Sequence, residues 1–133
     1  MYFYCTFILL SNSLGGKKTL LWENPNPANQ FAEQTITLSS NDYDYLKIFY
    51  RYNTNYNRSL SIDILKGDSA ELNACYVNTS GFGLTTRHLN YVSDTEYNVT
   101  NHMSTTCATT PSITTNLTGK GGCIPLAIYG CKF

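Results

Sequence analysis

Two histidines, nine acidic residues and five cysteines are the side chains that chemistry would draw on first in this chain of 133 residues. His88 stands beside Arg87 in an alternating segment, and Asp63 or Asp94 with a serine would complete a Ser-His-Asp set on paper. Such a triad needs its members within hydrogen-bond reach of one another. No motif here brings them together, so His88 reads as an ordinary strand histidine. Asp42 and Asp44 flank Tyr43, and paired carboxylates can hold calcium or share acid and base roles in glycoside hydrolysis. Asn and Asp also cap their own backbone in turns. No second acidic cluster supports the pair, so a turn is the simpler reading. The cysteines Cys5, Cys75, Cys107, Cys123 and Cys131 form no C-x-x-C pair, and their odd number argues against a complete disulfide framework. They read mostly as free, packed thiols, since a buried thiol behaves as a small hydrophobe. The phosphate-binding, nucleophile-elbow and zinc-helix motifs are missing. Gly81-Phe82-Gly83 falls between strand-like segments with no helix after it, the wrong setting for a phosphate cradle. The expectation is a protein that is not an enzyme and uses no metal and no cofactor.

Binding is the remaining chemistry. Tyr43, Tyr56 and Tyr91, with Trp22, read as loop aromatics that offer an apolar face and a polar tip, the kit of sugar- and protein-binding surfaces. His102 opens a Thr-rich stretch and is a further candidate ligand contact. Nine Lys and Arg balance nine Asp and Glu, which removes the electrostatic case for nucleic acid and favours no anionic membrane. Charged residues make up 14% of the chain, against about 25% in an average soluble domain. Asn, Ser, Thr and eleven Tyr take their place, a composition that suits strands and turns and a protein working outside the cytosol. Four N-x-[ST] sites, at Asn57, Asn78, Asn98 and Asn116, follow from that composition.

The elements that position these residues are short. Residues 1–10 are apolar but far shorter than the ~20 needed to span a bilayer. They lack the basic start and cleavage site of a signal peptide, and read as a first strand or the remnant of a longer upstream protein. Residues 11–18 form a Gly-containing linker, leaving 19–133 as one domain. Strands are expected at 19–22, 31–38, 45–52, 59–65, 72–77, 84–92, 95–100 and 123–129, with 45–52 and 59–65 joined as a hairpin. Leu60, Ile62 and Ile64 alternate with Ser59, Ser61 and Asp63, the clearest period-two signal in the chain. Ile124, Leu126 and Ile128 are expected on one face. Residues 101–122, polar and rich in Thr, are expected as a long exposed loop, and long loops in compact domains tend to be functional. No sustained helical period appears. The fold class is therefore all-β, a single antiparallel β-sandwich or jelly-roll-like domain of about eight strands.

Three segments together resemble a known family. LLWENPNPANQF at 20–31 with Gln34-Thr35-Ile36, Tyr43-Asp44-Tyr45 entering an apolar strand, and CIPLAIYGCKF at 123–133 are similar to the carboxy-terminal domain of phage tail and fibre proteins, also found in prophages of gut bacteria. Val92-Ser93-Asp94-Thr95 matches a further stretch of that pattern. The resemblance covers the chain from about Lys18 and is most specific at its two ends. It implies a virion structural module: the distal domain of a tail fibre, baseplate or head-fibre appendage. Such a module is extracellular, homotrimeric, in contact with other virion proteins, and meets a host cell-surface glycan or protein without entering the membrane. A secreted or cell-surface carbohydrate-binding module is the alternative that shares this composition and fold, and a glycan-degrading enzyme is a third.

Overall fold

A computed structural model describes residues 16–108 and 113–133; the side chains of Tyr56, Asn57, Asn78 and Leu117 lie outside the description. The expectations for residues 1–10, and for most of the 11–18 linker, fall outside the described residues. The described residues form ten strands: β1 (Lys18–Glu23), β2 (Gln34–Thr37), β3 (Tyr45–Asn53), β4 (Tyr56–Leu65), β5 (Ala70–Asn78), β6 (Gly81–Ser93), β7 (Glu96–Val99), β8 (His102–Ala108), β9 (Ile113–Gly119) and β10 (Gly122–Cys131). All pairings are antiparallel. One sheet runs β1-β10-β3-β4. In the other, β7 and β8 follow each other along one edge of β6, β5 lies on its opposite edge, and β2 and β9 pair outside β7 and β8. The protein is an all-β sandwich.

Period-two alternation explains why the sheets pack as they do. Leu46, Ile48 and Tyr50 of β3 point into the core, with Ile128 of β10 opposite Ile48. Leu72 and Ala74 of β5, Leu89 of β6, and Tyr97 and Val99 of β7 face them from the second sheet. Lys47 and Asp63 lie opposite each other on the outer side of the β3–β4 pair and form an ion pair of 2.8 Å. Side chains also tie the two halves of the sandwich together by hydrogen-bonding backbone carbonyls. The Tyr43 hydroxyl donates to Asp94 at 2.7 Å, the Tyr50 hydroxyl donates to Asn73 at 2.7 Å, and the Cys123 thiol donates to Thr85 at 3.4 Å. The four described cysteines are free thiols, and Cys75 is exposed rather than packed.

Three expectations change. The described part of 101–122 is mostly strand rather than loop: β8 pairs with β6, and β9 with β8. Threonine is a strong strand former, and a ladder of backbone hydrogen bonds needs no apolar side chain, so low hydrophobicity misled the reading. Gly81 and Gly83 lie within β6 rather than between strands. Ile124 and Ile128 do not share a face, because the β10 register shifts between Pro125 and Ala127. Ile124 pairs with Arg51 and Ile128 with Ile48, residues of opposite parity on β3. A bulge carries the extra residue, and Pro125, with no N–H to give, sits where a central strand tolerates proline.

Ile128 is fully buried, whereas Ile62 on edge strand β4 is only half-buried. Ile128→Ala is expected to cost about 2–5 kcal/mol in urea unfolding. Ile62→Ala should cost clearly less, because part of its side chain already meets water.

Candidate functional site

Among the described residues Arg87 is the largest fully buried side chain, with no surface exposed. Strand alternation turns it inward from β6, between Thr85 and Leu89. Its guanidinium donates to four backbone carbonyls. Nε and Nη2 reach Gly122 O at 3.1 and 3.0 Å, Nη1 reaches Phe31 O at 2.9 Å and Thr100 O at 2.6 Å, and Nη2 reaches Lys120 O at 3.1 Å. The Phe31 ring lies 5.4 Å from the guanidinium carbon, a cation–π contact. No carboxylate is among its partners in the described residues. Burial lowers its pKa to about 10, so it stays charged at neutral pH and is held by dipoles alone. The neighbouring Cys123 thiol is pushed by burial up to about 12 and stays protonated. Cys123 also has a φ of 45°, a left-handed conformation that costs a non-glycine residue energy. That angle turns the peptide whose Gly122 carbonyl receives two of the Arg87 bonds.

His102 belongs to the same cluster. Its Nδ1 accepts the Gly122 N–H at 2.8 Å, so the neutral ring carries its proton on Nε2. The ring fits only because Gly119 and Gly122 lack side chains: a Cβ on Gly119 would lie 2.0 Å from Nε2. Burial lowers the His102 pKa and the Arg87 charge lowers it further. His102 therefore props the β9–β10 turn while remaining partly exposed.

The other expected site residues separate. Tyr43 is buried in the core, with Lys66 Nζ 5.1 Å from its ring centre, and is not a surface aromatic. Tyr97 is buried beside it, its hydroxyl without a well-formed hydrogen bond among the described residues, and burial raises the pKa of both phenols. Tyr91 is exposed and donates to Asp94 Oδ1 at 2.9 Å. Tyr56 has its backbone in β4 opposite Asn53, and its side chain lies outside the described residues. Trp22 is half-buried, edge-on to Phe31 at 6.1 Å. Asp42 and Asp44 sit 2.6 and 3.8 Å from Lys132 Nζ. A lysine occupies the space a cation would need, so the pair ties the last strand down. Asp63 and Asp94 are each paired with a lysine, Lys47 and Lys66, on different sheets from or far along the strand from His88. Among the described residues no three His, Cys, Asp or Glu converge as metal ligands.

A surface site does form where sequence reading placed none. A groove of about 640 Å³ runs along the open side of the sandwich between edge strands β4 and β5. Tyr52, Asn53, Arg58 and Leu60 line one wall; Asn73 and Tyr76 line the other. The rings of Tyr52 and Tyr76 meet edge-to-face at 6.2 Å. Gly83, opposite Tyr76 on β6, makes this possible, since a Cβ there would stand 2.2 Å from the Tyr76 ring. Only the spacing of two tyrosines at strand ends hinted at the site, and the pairing of distant edges that builds it has no local signal. Comparison with protein-family models, curated proteins and solved structures finds no match.

Two outcomes are expected. Arg87→Met should destabilise by more than about 3 kcal/mol, because stranding buried acceptors costs ~1–3 kcal/mol each, and Arg87→Lys should rescue little, lacking the planar fork. The His102 pKa is lower folded than unfolded, so the unfolded state binds more protons as the solution is acidified. Melting temperature should therefore fall as pH drops below about 6.5. His102→Asn, which keeps an acceptor but does not titrate, should flatten that dependence in a melting series across pH.

Proposed function

We propose that this chain is a virion structural module of a phage appendage, whose Tyr52–Tyr76 groove takes a host cell-surface glycan. The groove is the observation that carries the binding half of this reading. Its volume suits a few sugar units within the ~300–1,000 Å³ of small-ligand sites. Two tyrosines offer apolar ring faces, Asn53 and Asn73 offer amide groups, and Arg58 is the single charged residue among the described lining. Tyrosine gives contact area at low entropic cost and suits hydroxyl-rich partners.

The appendage half draws on the resemblance, and one structural relation supports it. The two most specific segments are partners in space: β1 carries LLWE and pairs with β10, which carries CIPLAIYGC. Asn24 Nδ2 donates to Pro125 O at 2.8 Å, and Asn24 N–H donates to Leu126 O at 2.9 Å. The shared motif thus describes one packed unit. In a virion the domain would stand outside the cell with other virion proteins as neighbours, in the homotrimer that the resemblance implies.

Binding of the purified protein to host-range bacteria and to a glycan array tests the reading. Tyr76→Ala and Tyr52→Ala are each expected to weaken binding at least ~10-fold, as loss of a central aromatic anchor does, with the β-sheet circular dichroism spectrum retained. Binding that survives both substitutions would rule out the groove. Array binding without any attachment to cells would favour a secreted carbohydrate-binding module.

A further inference from the structure

Of the three arginines in the sequence, two are committed to backbone and one is not. Arg87 and Arg51 spend their guanidinium groups on main-chain carbonyls. Arg58 is exposed, makes no ion pair and no hydrogen bond among the described residues, and lines the Tyr52–Tyr76 groove. Its place there is built by register. Arg51 pairs with Ser59 and Asn53 with Tyr56, so two steps along β3 face three along β4. The extra residue makes a bulge, the device that re-aims a side chain in a paired strand. Arg58 lies in that bulge, across from Tyr52. The walls supply no carboxylate to neutralise it. Neither 45–62, which holds β3 and most of β4, nor 72–93, which holds most of β5 and all of β6, contains an Asp or Glu. Arg51, next to Tyr52 in sequence, adds a second cation whose bond goes to a carbonyl rather than an acid.

We propose that the groove selects an acidic sugar, its carboxylate held by Arg58 while the tyrosine rings cover the apolar face of the sugar ring. This rests on the reading of the groove as a glycan site and names the class of glycan. A guanidinium presents parallel N–H donors that match both oxygens of a planar carboxylate. One fork suits one negative charge. A phosphate group, with more oxygens and more charge, is met in proteins by arginine clusters or helix N-termini. The groove has one cation in its described lining, and the fold around it is all strand. A neutral sugar would draw only on the rings and amides and leave the guanidinium without an anionic partner.

The test titrates the whole chain with a panel of oligosaccharides ending in hexuronic or nonulosonic acids, each beside its carboxyl-reduced neutral partner. The best acidic member is expected to bind about 10-fold tighter than its reduced partner, as one charge-assisted contact would give. That gap should narrow as salt rises, because exposed charges are screened. Arg58→Gln should close the gap, and Arg58→Lys, a charge without the fork, should keep only part of it. Lys47→Gln removes a cation from the same strand pair outside the groove and should leave the gap as it is. Tyr76→Ala should weaken acidic and neutral partners alike, which separates the two readings. Equal affinity for both partners, or a gap that survives Arg58→Gln, overturns the acidic preference and leaves the groove standing. So does tighter binding of phosphorylated or sulfated sugars than of carboxylated ones. Binding that Tyr76→Ala leaves unchanged, or no binding of any member, removes the groove as a glycan site and this proposal with it.

Discussion

The buried cation of Arg87 ties together three stretches of irregular backbone through their carbonyls. The β1–β2 connection around Phe31, the β7–β8 link at Thr100 and the turn from Lys120 to Gly122 are irregular backbone, and irregular backbone leaves carbonyls without ladder partners. Burying such groups unpaired is costly. Arg87 meets all of them with one planar fork, and its own charge is compensated by those dipoles rather than by an acid. An ion pair in the same place would have required burying a second charge. His102 and the left-handed Cys123 are consequences of this arrangement, one supporting the turn and the other aiming its carbonyl.

A second arginine works on the same principle at the other end of the same connection. Arg51 of β3 is nearly buried and donates from Nη2 to Pro27 O. Asn24, also buried, accepts from the Asn26 N–H at 2.8 Å to close a short turn while its amide reaches β10. The Asn-Pro-Asn-Pro segment is thus clamped by Arg51, by Asn24 and, at Phe31, by Arg87. Its Phe31 N–H returns the favour by donating to Lys120 O at 2.9 Å. The polar core of the protein is a chain of side-chain bonds to backbone carbonyls, wrapped by two apolar sheets.

The strand pattern was legible wherever side chains alternate between oil and water. Ser59 to Leu65 and Tyr45 to Tyr52 announced their hairpin, and the observed pairing of Ile48 with Ile62 and Lys47 with Asp63 follows from it. Legibility ended where alternation did. The β8–β9 hairpin is mostly threonine and other polar residues with few large apolar side chains, so hydrophobic periodicity carried little signal, and threonine's strand preference spoke for it. The β10 bulge hid in plain sight at Pro125, since a one-residue insertion inverts every later side chain. The site residues were least legible. Tyr43 and Tyr91 read alike in sequence, yet one is core and the other surface, because burial depends on which strand arrives opposite. Arg87 drew notice only as the neighbour of His88, although it is Arg87 that organises the centre.

The placement of the first and last strands has a mechanical consequence. β1 and β10 lie side by side, with Lys18 opposite Cys131, so the start of β1 and the end of β10 lie at one end of the sheet. The tyrosine groove lies toward the other end, near Asn53, which pairs with Gly122 at the start of β10. A load applied between an attachment near Lys18 and a ligand in the groove runs along the strands. The hydrogen bonds of the β1–β10 and β10–β3 ladders lie across that direction and share the force in shear, all at once. Pulling Lys18 and Cys131 apart instead would peel β1 from β10 one bond at a time. The same sandwich is stiff to a load along its strands and soft to one that unzips β1 from β10.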